Sequence, residues 1–170
     1  MSEIGNDQAR KSVETKTGVK LWGYKTRREL AQENINDGLT GLLNRKGWDQ
    51  RTSEYLKHAV RTHEKFAFVS MDLDNLKIIN DTQGHEAGDA VIRKFADVMR
   101  KIGRSTDILS RFGGDEFAAC LPATSIENAR VFKQRILKEA EGIKLSIGIG
   151  KDYAEADAEM YKMKVENKNV

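Results

Sequence analysis

Two pairs of acids sit where an unpaired carboxylate is costly. Phe66-Ala-Phe-Val-Ser-Met71 is apolar on both faces, as a central strand is, and it runs directly into Asp72-Leu73-Asp74. Residues two apart on a strand share a face, so Asp72 and Asp74 lie on one side if the strand continues, with the Leu73 carbonyl between them as a further oxygen. The second pair, Asp115 and Glu116, follows Gly113-Gly114. It is flanked by Ile108, Leu109 and Phe112 before and by Phe117–Leu121 after. A bound cation offsets the desolvation of acids so placed. Hard divalent ions such as Mg²⁺ take oxygen ligands of this kind and keep room for phosphate oxygens. If the first strand ends beside the glycine turn, Asp72, Asp115 and Glu116 form one cluster. Taken alone, residues 112–117 read equally well as a hairpin turn with Glu116 in solvent. His58, His63 and His85 are scattered and Cys120 has no partner, so no imidazole or thiolate site competes.

The elements that must position these acids alternate between helix and strand. Trp48, Tyr55, Leu56 and Ala59 recur at helical spacing, which predicts a helix over roughly 46–63, followed by the strand 66–72. Val91, Phe95, Val98, Met99 and Ile102 mark a second helix, with Gly103 placed to end it. A hairpin spans about 108–121. Ala129, Phe132, Ile136, Leu137 and Ala140 mark a third helix from Ser125 to Gly142. Ile143, Leu145, Ile147 and Ile149 alternate with small or polar residues, as in a strand with one buried face, and a last helix covers about 155–166. Residues 1–20 read as disordered, and 24–36 as a short polar lead-in helix. The order suits an α+β domain: a mainly antiparallel sheet flanked by helices, close to the ferredoxin-like plan.

Several motifs in sequence carry a resemblance. They are Asp37-Gly-Leu-Thr-Gly-Leu-Leu-Asn-Arg45, the run from Asp72 through Lys77, Asn80 and His85 to Asp89, and Arg111-Phe-Gly-Gly-Asp-Glu-Phe117. Ser146-Ile-Gly-Ile149 and Asp157-Ala-Glu-Met-Tyr-Lys-Met-Lys164 follow. In these the chain resembles the GGDEF-domain family, the diguanylate cyclases of bacterial signalling, over roughly residues 37–168. Residues 1–36 are then a tail and lead-in helix, and 37–170 the GGDEF domain. The resemblance implies a fold similar to polymerase palm domains. It also implies condensation of two GTP into cyclic di-GMP, with release of pyrophosphate, by metal-assisted nucleotidyl transfer using Mg²⁺ or Mn²⁺.

The resemblance also implies roles for single residues. Asp72, the Leu73 carbonyl and Asp115 hold metal, and Glu116 holds metal or helps deprotonate the attacking hydroxyl. Gly113 and Gly114 let the nucleotide approach the backbone. Asn80 and Asp89 read guanine, whose N1–H and exocyclic amine are both donors that a carboxylate accepts. Lys77, Lys164 and Lys168 contact the triphosphate. Lys168 departs from the family's usual Arg, a point charge in place of a rigid fork, and Leu76 replaces a usual aromatic. Arg104-Ser-Thr-Asp107, with five residues between Asp107 and Gly113, resembles the family's product-inhibitory Arg-x-x-Asp site. The expected assembly is a weak or substrate-dependent homodimer with one GTP per domain, since Leu30, Ala31 and Ile35 are too few for a firm coiled coil. A non-catalytic receptor for cyclic di-GMP or GTP is the main alternative. A different palm-type cyclase or polymerase is a third.

Composition agrees with a single domain. The chain has 170 residues, one proline and a net charge of +3. Residues 1–30 hold seven Lys or Arg against four Asp or Glu, and the remainder holds 22 of each, so the excess lies wholly in the first segment. No interleaving of aromatic and basic residues marks a nucleic-acid platform. No apolar stretch is long enough to span a membrane, the first residues lack a signal-peptide pattern, and a lone cysteine forms no disulfide framework, so a cytoplasmic protein is expected.

Overall fold

The computed structural model describes residues 9–14, 20–25 and 34–168, with the first two stretches and Lys168 described by backbone alone. The chain divides into residues 1–35 and 36–170. In the first unit β1 (Ala9–Glu14) and β2 (Lys20–Lys25) pair antiparallel, with Ala9 opposite Lys25 and Glu14 opposite Lys20. This corrects the expectation of disorder at residues 9–14 and at Lys20, while residues 1–8 and 15–19 lie outside the described residues. Val13, Trp22 and Tyr24 are good strand formers, and here they outweigh the polar composition. The lead-in helix expected over 24–36 is not found where it can be checked: Tyr24 and Lys25 belong to β2, and residues 34–36 are not helical. Residues 26–33 lie outside the described residues.

The second unit runs α1 (Arg45–Thr62), β3 (Phe66–Leu73), α2 (Leu76–Gln83), α3 (His85–Ile102), β4 (Ile108–Gly113), β5 (Glu116–Pro122), α4 (Ile126–Glu139), β6 (Leu145–Gly150) and α5 (Tyr153–Lys168). The four strands of this unit lie in the order β4-β5-β3-β6, all antiparallel. That is the ferredoxin-like arrangement, with the first strand between the third and fourth. The outer edge of β4 is partly covered by the opening motif: Leu43 N–H donates to Leu109 O, and Arg111 N–H donates to Leu43 O.

The two faces of β3 explain the layers. Ala67, Val69, Met71 and Leu73 face the main core, with Phe95, Met99 and Ile102 of α3, Phe132 and Ile136 of α4, and Phe117 of β5. Phe95 meets Phe117 edge-on at 4.8 Å. The opposite face carries Phe68, and with Ala118 and Cys120 of β5 it packs against Trp48 of α1 and Ala156 of α5. Further along that face come Ser70 and Asp72, so it turns polar toward its C-terminal end.

β6 is buried on both faces, not one. Leu145, Ile147 and Ile149 enter the main core, while Gly148 and Gly150 lie under α5. A Cβ on Gly148 would sit 2.0 Å from Ala156 O and 2.1 Å from Met160 N, so the glycines let the helix lie directly on the strand. Gly103 also ends α3 for reasons of space. Its φ is −69°, and a Cβ there would sit 2.9 Å from Leu109 Cδ1.

Candidate active site

Strand pairing gathers the acids. Asp72 on β3 lies opposite Glu116 on β5 and opposite Ser146 on β6. Directly opposed residues of antiparallel strands project on the same face. The Leu73 N–H donates to Asp115 O at 3.1 Å, which ties the glycine turn to the end of β3. Asp74 N–H donates to Lys144 O, and the Asp74 carboxylate accepts from Ser146 Oγ at 2.9 Å and from Asn167 Nδ2 at 3.1 Å. The expected neighbourhood of Asp72, Asp115 and Glu116 is thus present at one end of the sheet.

Asp72 is buried. Its Oδ2 accepts from Lys164 Nζ at 2.6 Å, and its Oδ1 is buried with no hydrogen-bond partner. Burial pushes its carboxyl above the usual carboxylate range. The bond from Lys164 opposes this, and the charges of Asp115 and Asp74 add to it. On Lys164 burial works against the ammonium, but Asp72, Asp115 and Asp74 outweigh it and raise its pKa. The two shifts differ in origin: burial dominates on Asp72, whereas on Lys164 the attraction of Asp72, Asp115 and Asp74 prevails over burial. Among the described residues, no three His, Cys, Asp or Glu side chains form a ready metal cage. The donor set is open and made of hard oxygens, with one buried carboxylate oxygen unpartnered. It fits an ion that draws the rest of its shell from water and phosphate, as Mg²⁺ does.

The glycine turn is held from behind. Gly113 and Gly114 have φ of +143° and +55°, conformations that favour glycine, and the β4–β5 register slips between Arg111 and Gly113. The nearly buried Arg111 donates through Nε and Nη2 to Gly114 O, at 3.2 and 2.9 Å. Its Nη1 donates to both oxygens of Asp37, at 3.0 and 3.1 Å. Burial pushes the Asp37 carboxyl upward, but bonds from Thr40 and Arg111 outweigh it and hold it below its ordinary value. Asp37 and Arg111 belong to the motifs that carry the resemblance, yet their types and spacing alone did not indicate this pairing. The signal was a charged residue in an otherwise apolar strand. Ser70 is a second polar residue in an apolar strand: its Oγ donates to Asp157 Oδ1 at 3.1 Å and lies 3.4 Å from Tyr153 OH.

Beside the acids opens a pocket of about 620 Å³, lined by Asp74, Asn75, Lys144, Leu145, Met163, Lys164 and Asn167. A smaller pocket of about 190 Å³ shares Asp74, Asn75 and Lys144 with it and is walled by Leu73, Leu76, Ile79, Val91 and Ile143. α2 was not foreseen. It places Lys77 in solvent and Asn80 half-buried against α3. Asp89 lies in the second turn of α3, 3.7 Å from Arg93. A Cβ on Gly88, its neighbour, would meet the Asn80 side chain, so Asn80 and the backbone beside Asp89 are in contact. Lys168 ends α5, and its side chain lies outside the described residues.

Arg104 and Asp107 form a closed turn. Arg104 N–H donates to Asp107 Oδ2 at 2.8 Å, and Asp107 N–H donates to Arg104 O at 3.0 Å. Asp107 Oδ1 is buried without a partner, and burial raises this carboxyl. Both residues line a pocket of about 230 Å³ together with Asn128, Phe132 and Arg135. Arg135 adds a second cation that the motif alone did not indicate.

The family model for "Diguanylate cyclase, GGDEF domain" matches residues 34–153. Diguanylate cyclase DgcS of Shewanella oneidensis is 30% identical over 158 residues, covering 83% of this chain and 53% of that protein. Probable diguanylate cyclase DgcE of Escherichia coli is 41% identical over 110 residues, covering 65% of this chain and 10% of that protein. The chain thus spans from about a tenth to about half of the length of these relatives. The crystal structure of the GGDEF domain of DgcB from Caulobacter crescentus, in complex with c-di-GMP, gives a TM-score of 0.73 at 27% identity, covering 79% of this chain and 92% of that one. By sequence, motif order and fold, the chain belongs to the GGDEF-domain family of diguanylate cyclases.

Proposed function

We propose that this domain condenses two molecules of GTP into cyclic di-GMP. The 3′-oxygen of one GTP bonds to the α-phosphorus of the other. The bond from that phosphorus to the bridging β-oxygen breaks and pyrophosphate leaves. A reciprocal second step closes the ring and releases a second pyrophosphate. Such transfers depend on alignment and charge neutralisation more than on covalent help. Bound Mg²⁺ or Mn²⁺ supplies charge neutralisation at the phosphates and lowers the pKa of the attacking hydroxyl. Asp72, the Leu73 carbonyl and Asp115 hold the ions, and Glu116 joins them or takes the hydroxyl proton. Gly113 and Gly114 leave the backbone open to the nucleotide. Lys77, Lys164 and Lys168 bind the triphosphate, and Asn80 with Asp89 selects guanine. Each domain holds one GTP, so two copies meet face to face in a weak or substrate-dependent homodimer. Product binds at Arg104 and Asp107 and inhibits.

The observation that carries this reading is Asp72: buried, with one oxygen unpartnered, opposite Glu116 and near Asp115, beside a pocket lined by Lys164. The test is incubation with GTP or ATP and Mg²⁺, with products separated by chromatography. Cyclic di-GMP from GTP alone is expected. Asp115→Ala should abolish turnover with an unchanged circular dichroism spectrum, and a fully active variant would refute the metal role. Tight binding of cyclic di-GMP without turnover by the unaltered protein would favour the receptor reading.

A further inference from the structure

Gly88 lies within α3, directly before Asp89. Its φ is not positive, so the helix conformation itself does not call for glycine there. Alanine would be the better helix former. What requires glycine is space. A Cβ at this position would lie 1.9 Å from Asn80 Oδ1, 2.9 Å from Asn80 Cγ and 3.4 Å from Asn80 Nδ2. The three nearest atoms all belong to the Asn80 carboxamide and none to the backbone. The bare surface of α3 is therefore a notch in which the α2 side chain is seated. Because that side chain is flexible, filling the notch moves the carboxamide and leaves the helices in place.

We infer that Gly88 is a positioning residue for nucleotide selection: its missing side chain seats the Asn80 carboxamide beside Asp89, so that both present their polar groups to one guanine ring. This rests on the reading of Asn80 and Asp89 as the guanine contacts. Arg93, on the next turn of α3, lies 3.7 Å from the Asp89 carboxylate in a solvent-exposed ion pair.

The experiment is a double-mutant cycle on the full chain. Gly88→Ala, Asn80→Ala and the double variant are compared with the wild type by thermal melting, and by calorimetric titration with a non-hydrolysable GTP analogue and its ATP counterpart. Gly88→Ala should melt close to the wild type, bind the GTP analogue at least about tenfold more weakly, and lose selectivity over the ATP analogue. The double variant should bind no more weakly than Asn80→Ala, because both substitutions remove one contact. Wild-type GTP affinity in Gly88→Ala, with Asn80→Ala impaired, overturns the inference, and so do additive losses. Wild-type affinity in Asn80→Ala overturns instead the guanine reading beneath it. Should Gly88→Ala fail to fold, recovery of folding in the double variant still demonstrates the notch, and continued failure refutes it.

Discussion

Replacing Lys164 with methionine tests the electrostatic account of the site directly. The change keeps most of the apolar stem and removes the ammonium that bonds Asp72 Oδ2 at 2.6 Å. The Asp72 side chain is 5% exposed and that of Lys164 25%. Removing one partner of a fully buried pair costs roughly 3–5 kcal/mol, because the other charge is left uncompensated. The ammonium is partly solvated, so the loss here is about 2–3 kcal/mol. For a domain of this size that lowers Tm by roughly 6–15 °C. The pH dependence has a definite sign. The Asp72 carboxyl is raised above its ordinary value of 3.8, so the folded state holds this proton more tightly than the unfolded state does. Stability from this group is present below the unfolded pKa and is lost as pH rises through the folded one. Without Lys164 the folded pKa rises further. The deficit of Lys164→Met against the wild type is therefore largest at neutral pH and shrinks on acidification, as Asp72 becomes protonated in both proteins. Melts followed by circular dichroism in chelator, from about pH 4 to pH 8, measure this. Equal stability at neutral pH, or a deficit that does not change with pH, would refute the argument.

Two further outcomes follow from other parts of the molecule. Arg104→Ala should raise the concentration of cyclic di-GMP needed for half-inhibition by at least about tenfold, because an Arg–phosphate contact is charge-assisted; an unchanged inhibition curve would remove Arg104 from that site. Gly148→Ala should cost about 3 kcal/mol or more in urea denaturation, since its methyl would fall 2.0 Å from Ala156 O and 2.1 Å from Met160 N, both backbone atoms that cannot turn aside. Wild-type stability there would mean that α5 does not lie as close to β6 as described.

The readable parts of the fold were those set by hydrophobic period. β3, α3 and β6 bury residues at the positions that marked them, α4 does so at Ala129, Phe132 and Ile136 but leaves Leu137 exposed, and their places in a ferredoxin-like sheet followed from their order. What escaped depended on other physics. α2 has eight residues and buries Leu76 alone, so it offers almost no periodic signal, and Asn80-Asp-Thr-Gln-Gly84 reads as a turn. The second buried face of β6 escaped because glycine gives no hydrophobic signal. Only the distance to α5 shows that Gly148 and Gly150 are packing residues. The pairing of β1 with β2 escaped because Ala9–Glu14 and Lys20–Lys25 are short and rich in Lys and Arg, which leaves little hydrophobic alternation to mark them.

The candidate site was legible in its acids and illegible in its supports, for a physical reason. A carboxylate in an apolar run is conspicuous because burial there is costly, and Asp72 is the acid of the cluster that is in fact buried, with Asp74 and Asp115 partly exposed and Glu116 in solvent. The residue that makes the burial tolerable can come from anywhere in the chain. Arg111 and Asp37 are 74 positions apart, and Lys164 and Asp72 are 92 apart. Neither pairing has a local signature. Yet the first fixes the carbonyl of Gly114, and so the path of the turn that delivers Asp115 to the end of β3. The opening motif, remote in sequence and carrying no acid of the cluster, is therefore part of the same apparatus: Asp37 orients Arg111, Arg111 holds Gly114, and the turn carries Asp115 to Asp72. Motif order alone indicates a family. The chain of hydrogen bonds from Thr40 to Asp37, Arg111 and Gly114 explains why the separate motifs occur together.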